Sequence, residues 1–229
     1  RNAQELLKLA FDLEFDFIYV LADMESNGIK IDVNLLKKLK EINSVYIQEL
    51  TNKIYETSGA EFNINSPKQL GIVLFETLGL TAGKKTKTGY STDEAVLSSL
   101  FDAHDVIPLL LNYREAYKLQ STYIEPLLEL GLKNEDNRIH TSFLHTGTAT
   151  GRLSSKNPNL QNIPVKSEAG SQIRSAFIPK DGYTLVGIDY SQIELRLLAH
   201  FFFVVALVDA FNNNLDIHYQ TAVKIFGEE

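Results

Sequence analysis

Apolar residues at helical spacing run through the first half of this chain. Leu6, Leu9, Leu13, Phe17, Val20 and Met24 form one series, and Leu35, Leu39, Ile42, Tyr46, Leu50 and Ile54 form a second. A recurrence every three or four residues, sustained over about five turns, cannot sit as a strand, whose side chains alternate with a period of two. Both segments are therefore expected to be helices that bury one face. Asn27-Gly28 separates them, and Asp32 stands where a side chain caps the second. Ile107, Leu110, Leu111, Tyr117 and Ile124 predict a third long helix, with Pro108 in its first turn and Pro126 ending it. Shorter pieces are expected from Ser58 to Asp105, broken by Gly, Ser-Pro and the basic turn Lys84-Lys85-Thr86-Lys87. The expected shape is a long antiparallel helical pair with a small basic tip.

Beyond Gly131 the texture changes. Thr, Ser, Asn, Gln and Gly dominate from Thr141 to Pro164. Such a stretch reads as loop and short strand, and loops held on a rigid scaffold are where binding groups gather. Tyr183-Thr-Leu-Val-Gly-Ile reads as a buried strand ending at Asp189. Ser191-Gln-Ile-Glu194 then forms a capping-box pattern that opens a helix through about His200, and Ala206–Phe226 is helical again. Helices with a minority of strands place the fold in the mixed α+β class.

Composition narrows the function classes. With 229 residues, 44% of them hydrophobic, the chain can hold one or two domains with a real core. There is no Cys, which excludes disulfides and thiolate zinc sites. The apolar run Phe201–Val208 is far shorter than the roughly 20 residues of a membrane span, so no membrane partner is expected. No secretory signal opens the chain, which starts at Arg1 inside a helical pattern. A cytoplasmic piece of a longer protein is the expectation. The net charge of −7 argues against a nucleic-acid partner, yet between His145 and Lys180 five basic residues (Arg152, Lys156, Lys166, Arg174, Lys180) face Glu168 alone. A protein needs only one positive face to meet phosphates, although solvated surface lysines would look the same.

Two carboxylates stand out. Asp189, at the end of the expected strand, suits a Mg2+ ligand, because that ion is commonly held by one or two carboxylates plus substrate phosphates. It suits a turn or cap equally well. Glu194 could simply bond the Ser191 backbone as the third residue of the capping box. Position alone leaves both readings open.

The surrounding strings are more specific. Asp189-Tyr-Ser-Gln-Ile-Glu-Leu-Arg196, followed by Leu-Leu-Ala-His200, resembles motif A of the family A DNA polymerases. Thr150-Gly-Arg-Leu-Ser-Ser-Lys-Asn-Pro-Asn-Leu-Gln-Asn-Ile-Pro164 resembles the same family's primer–template segment. Ser66-Pro-Lys-Gln-Leu70, Lys85-Thr-Lys-Thr-Gly-Tyr-Ser-Thr92 and Asp216-Ile-His218 match further family segments, in the family's order. The resemblance implies template-directed transfer of deoxynucleotides from dNTPs to a primer 3′-hydroxyl. It makes Asp189 the catalytic metal ligand for two Mg2+ ions, assisted by the Tyr190 carbonyl. Glu194 becomes the sugar gate that selects deoxynucleotides, with Gln192 and His218 beside the incoming triphosphate. Arg152 becomes a minor-groove contact at the primer terminus, with Asn159, Gln161 and Asn162 holding DNA nearby. Lys84, Lys85 and Lys87 become phosphate contacts along the duplex. The implied partners are primer–template DNA and dNTPs, bound by a monomer in the bacterial cytosol or nucleoid.

The implied domains are a link from an upstream exonuclease-type domain at 1–20, a thumb at 21–125, the first part of the palm at 126–200 and the start of the fingers at 201–229. Two departures accompany the match. Phe201-Phe-Phe-Val-Val205 is aromatic and apolar where the family has a short polar turn. The fingers helix with its Arg, Lys and Tyr, and the later His-Asp-Glu turn with the second metal-binding aspartate, have no counterpart in the sequence. A module that grips duplex DNA without chemistry is the alternative. An RNA-making polymerase ranks below it, because Glu194 fills the gate position.

Overall fold

The computed structural model describes residues 3–81, 85–86, 89–165 and 168–227. Two units divide the chain, Arg1–Tyr183 and Thr184–Glu229. The first opens with α1 (Ala3–Leu9), which passes through a wide π turn (Ala10–Glu14) into α2 (Phe15–Asn27). The helical period is as expected, but the burial is not: Leu21 is buried while Leu6, Leu13 and Val20 stay exposed. Within the stripe Phe17 is half-buried. Gly28, at φ +55°, ends α2, and a short strand β1 (Ile29–Ile31) follows.

Asp32 caps α3 (Val33–Ser58) as expected, its Oδ1 accepting the Leu35 N–H at 2.9 Å. The shorter pieces expected from Ser58 to Asp105 include α4 (Pro67–Ile72), a π turn (Val73–Thr77) and α5 (Glu94–Ser99), and the third helical series forms α6 (Val106–Lys118), a further wide turn (Leu119–Ile124) and α7 (Glu125–Lys133). Pro108 sits in the first turn of α6. Pro126, however, does not end the helix. The π turn before it closes on a bond from the Glu125 N–H to Gln120 O, so Pro126 falls in the first turn of a restarted helix, where its missing N–H is not needed.

The two long rods run antiparallel. Leu36 and Leu39 near the start of α3 share a core with Leu119, Tyr123, Ile124, Leu127 and Leu128. Leu50 and Ile54 near its end share another with Val106, Ile107, Leu110 and Tyr113. Between the two cores, Asn43 Nδ2 donates to Ala116 O at 2.9 Å and to Gln120 Oε1 at 3.0 Å. The far core also takes in Leu70, Leu74, Phe75 and Leu97, close to the small hairpin of β2 (Lys85–Thr86) and β3 (Gly89–Tyr90).

The near core lies under an antiparallel sheet in which β1 is central, flanked by β4 (Arg138–Ile139) and β7 (Phe177–Ile178). Ile29 pairs with Ile139, and Lys30 with Ile178. The hairpin β5 (Ser142–Leu144) and β6 (Ser154–Lys156) follows β4, and α8 (Glu168–Ser175) turns Ile173 into the same core. Helix α7 crosses β1 so closely that a Cβ on Gly131 would overlap the Ile31 side chain. Gly131→Val is therefore expected to lower stability by about 3 kcal/mol through overpacking. Thermal melting checks this, and an unchanged midpoint would show that the helix can lift off the strand at no cost.

The second unit departs most from its sequence reading. Residues 183–190 form no strand, and the expected burial is reversed: Ile188 is 93% and Tyr190 80% exposed. A buried strand needs neighbours to bond its backbone and cover both faces, and no described residue of the second unit forms a strand to supply them. The capping box does not form either. Gln192, at φ +53°, occupies the cap position of α9 (Ile193–Phe202) with no side-chain cap bond, and Glu194 is the second residue of the helix. Helix α9 runs past His200 to Phe202, where Phe203 turns left-handed. The last helical stretch divides into α10 (Val205–Asn212) and α11 (Ile217–Phe226), the second capped by Asp216. Phe201, Phe202 and Phe203 stand exposed at the α9–α10 corner, and nothing in the structure explains their apolar character.

Candidate functional site

In the first unit the candidate residues gather around the β5–β6 hairpin. Its ladder pairs Ser142 with Lys156 and Leu144 with Ser154, so the loop 145–153 projects from one end with Arg152 exposed near its return. Thr148 Oγ1 donates to Arg152 O at 2.7 Å, which folds that loop onto itself. Asn159, Gln161 and Asn162 lie in the polar turn just after β6, and all three are exposed. The structure thus brings these four predicted residues onto one hairpin and its adjoining turn.

The amides have internal tasks as well. Gln161 Oε1 accepts the Ser155 N–H at 3.0 Å, and its Nε2 donates to Leu153 O at 3.1 Å. One side chain therefore bridges the outer edge of β6 and completes its ladder. Asn159 Oδ1 accepts from Ser155 Oγ at 3.3 Å and from Gln161 N–H at 3.0 Å. The Asn162 carbonyl accepts from Tyr123 Oη at 2.7 Å, which ties the turn to the long helical rod. Ser155, buried at the centre of these bonds, also accepts the Leu160 N–H at 3.1 Å. Sequence reasoning missed both Ser155 and Tyr123. A serine in a polar run carries no local mark of burial, and Tyr123 reads as one more helical core residue.

The basic set around this hairpin keeps its charge at the surface. Arg152, Lys156, Arg174 and Lys180 are all exposed, and Lys166 lies outside the described residues. At the far end of the rods, the Lys85 backbone pairs with Tyr90 across β2 and β3. Lys84 and Lys87 lie outside the described residues.

In the second unit Asp189 and Tyr190 are exposed on the uncovered segment just before α9. The turn that follows them is pinned by Arg196, a residue to which the sequence reading gave no role. Its Nε donates to Ser191 O at 2.9 Å, its backbone N–H to Gln192 O at 3.0 Å, and its guanidinium lies 4.3 Å from the Phe211 ring centroid. Arg196 thus joins the turn carrying Asp189 to α10. Glu194 is exposed in the first turn of α9, where the helix dipole favours a carboxylate. His218 is exposed in the first turn of α11, and its N–H is accepted by Asp216 Oδ1 at 2.8 Å.

No three His, Asp or Glu side chains among the described residues cluster to hold a metal. Asp189 offers a single exposed carboxylate, with the Tyr190 carbonyl next in the chain. That donor set fits an ion shared with substrate phosphates and water, as Mg2+ is, and does not fit a closed protein cage.

Known proteins resemble this chain over most of its length. The family model for DNA polymerase family A matches residues 33–229. DNA polymerase I of Caldicellulosiruptor bescii is 51% identical over 217 residues, 94% of this chain and 25% of that protein. DNA polymerase I of Bacillus subtilis is 49% identical over 221 residues, 96% of this chain and 25% of that protein. The chain thus spans about a quarter of the length of the curated relatives it matches. Among solved structures, the POL domain of Pol1 from M. smegmatis, in complex with DNA primer-template and dNTP, matches with a TM-score of 0.88 and 40% identity. That match covers 98% of this chain and 40% of the other. The chain belongs to DNA polymerase family A.

Proposed function

We propose that this chain supplies the thumb (21–125), the first part of the palm (126–200) and the start of the fingers (201–229) of a DNA-directed DNA polymerase, with 1–20 leading in from an upstream domain. The parent protein transfers deoxynucleotides from dNTPs to a primer 3′-hydroxyl under the direction of a template and releases pyrophosphate. One observation carries the reading: almost the whole chain matches a polymerase domain that holds primer-template and dNTP. A polymerase of this kind would work on DNA in the bacterial cytosol or nucleoid. Among the described residues no helix is long and apolar enough to cross a membrane.

Each residue then has a physical task. Arg152 presents a fork of donors to the minor-groove acceptors that every correct base pair displays, so it senses pairing without reading sequence. Asn159, Gln161 and Asn162 shape and present that grip. The Lys84, Lys85 and Lys87 turn follows duplex phosphates. Asp189 and the Tyr190 carbonyl would hold Mg2+, while Gln192, Glu194 and His218 face the incoming nucleotide, Glu194 crowding the place of a ribose 2′-hydroxyl. When bound, the metal activates the primer 3′-hydroxyl and neutralises charge on the departing pyrophosphate.

Primer extension with Mg2+ and all four dNTPs tests the reading. The complete polymerase is expected to extend a primer as the template dictates. The 229-residue chain alone is expected to be inactive, since its described residues bring only one candidate metal carboxylate to the site. Extension by the chain alone would show that the active site is complete within it. A complete protein that binds duplex DNA and never extends it would favour the non-catalytic binding module.

A further inference from the structure

Among the bonds that hold the loop carrying Arg152, three differ in reach. Thr148 Oγ1 to Arg152 O lies within the loop, and Gln161 Nε2 to Leu153 O ties its return to the adjacent turn. The third leaves the hairpin altogether: His145 Nε2, at the loop's first residue, donates to Glu14 Oε2 on the N-terminal rod. Glu14 closes the π turn between α1 and α2, and such turns recur at functional positions in helices. Phe17, one turn further along, lies against the His145 ring with centroids 5.3 Å apart. Both partners are largely covered, at 23% and 34% side-chain exposure, so water weakens this pair less than an open surface pair. Either the imidazolium or the Nε2–H tautomer can donate this bond.

The same rod grips β5 at its other end. Glu25 Oε1 accepts the Phe143 N–H at 2.6 Å, and the Glu25 carbonyl meets His140 Nδ1 at 2.8 Å. Hairpin formation itself is provided by the β5–β6 ladder and the Gln161 bridge. The contacts with the rod therefore govern where the hairpin tip sits, and not whether it forms.

We propose that Glu14 and His145 form a positioning couple, which sets the path of the 145–153 loop and through it the placement of Arg152 on the primer–template. The consequence for DNA rests on the polymerase reading, whereas the effect on the loop does not. Positioning is sensitive, because a displacement of about 1 Å in a catalytic complex can lower its rate roughly a hundredfold.

The test uses the complete polymerase with Glu14→Leu, His145→Phe and the double substitution, Phe preserving a flat ring against Phe17. Each single variant is expected to lower kcat/KM for a matched primer end about tenfold, with KM for dNTP little changed. The double variant should be no worse than the poorer single one, since either change already breaks the couple. Hydrogen exchange at residues 146–153 should accelerate in all three, while the β1–β4–β7 sheet stays protected. Multiplying losses in the double variant, or unchanged loop exchange in the singles, would overturn the couple. If Glu14→Leu fails to fold, loop exchange in His145→Phe decides the matter alone. Loop exchange is measured without substrate, so its result is independent of the polymerase reading.

Discussion

Asp189→Asn in the complete polymerase is expected to reduce kcat on the order of a thousandfold or more, with primer–template affinity only mildly changed. Asn keeps the shape of the side chain and removes the charge that draws in a divalent cation. The carboxylate is exposed and lies outside both cores, so the substitution should leave folding intact. Single-turnover extension measures the chemical step directly, and a gel-shift titration measures DNA binding beside it. Raising Mg2+ should not restore the rate, because the missing group is a ligand and not a weakened site. A variant that extends primers at close to the normal rate would leave Asp189 as a turn residue and remove the metal role.

Glu194→Ala should collapse the preference for deoxynucleotides over ribonucleotides, again in the complete enzyme. A gate acts by bulk beside the sugar, so truncation admits the 2′-hydroxyl. Discrimination is the ratio of the two sugars' kcat/KM values, in which any general loss of active protein cancels. The structure sharpens this test. Because Gln192 holds the cap position of α9 without a side-chain bond, no capping box around Ser191 is available for Glu194 to complete. The carboxylate also stands in the first helical turn, where the helix dipole favours it. The ratio should collapse, with a small drop in melting temperature beside it. An unchanged ratio would sink the gate assignment and leave Asp189 untouched, because the two roles rest on different groups.

Arg196 shows how far a motif can be read without its fold. Its place in the string with Asp189 and Glu194 was visible, but its work in joining the Ser191 turn to Phe211 was not. The bond from its Nε to Ser191 O depends on how the chain turns between the two residues, and its stacking depends on a ring fifteen positions away. The polar run 150–164 was equally recognisable as loop and short strand, and by its resemblance to the family's primer–template segment. That Gln161 closes the edge of β6 and Ser155 lies buried beneath it followed only from the hairpin being formed.

What the sequence determined by itself is short in range. The helical period of α3 and α6, the cap at Asp32, the break at Asn27-Gly28 and the placement of Pro108 each depend on contacts within about one or two turns, so each is written in neighbouring residues. Tertiary structure decided whatever needs a distant partner. Strand β1 is three residues long, too short to show a period, and exists because Ile139 and Ile178 lie opposite it. The apolar run before Asp189 has the composition of a strand and no strand of its own unit among the described residues to pair with. Pro126 would stop an ordinary helix, but a π turn moved the backbone bonds past it. Glu14 and His145 meet across 131 positions of chain, a pairing that no local pattern could announce.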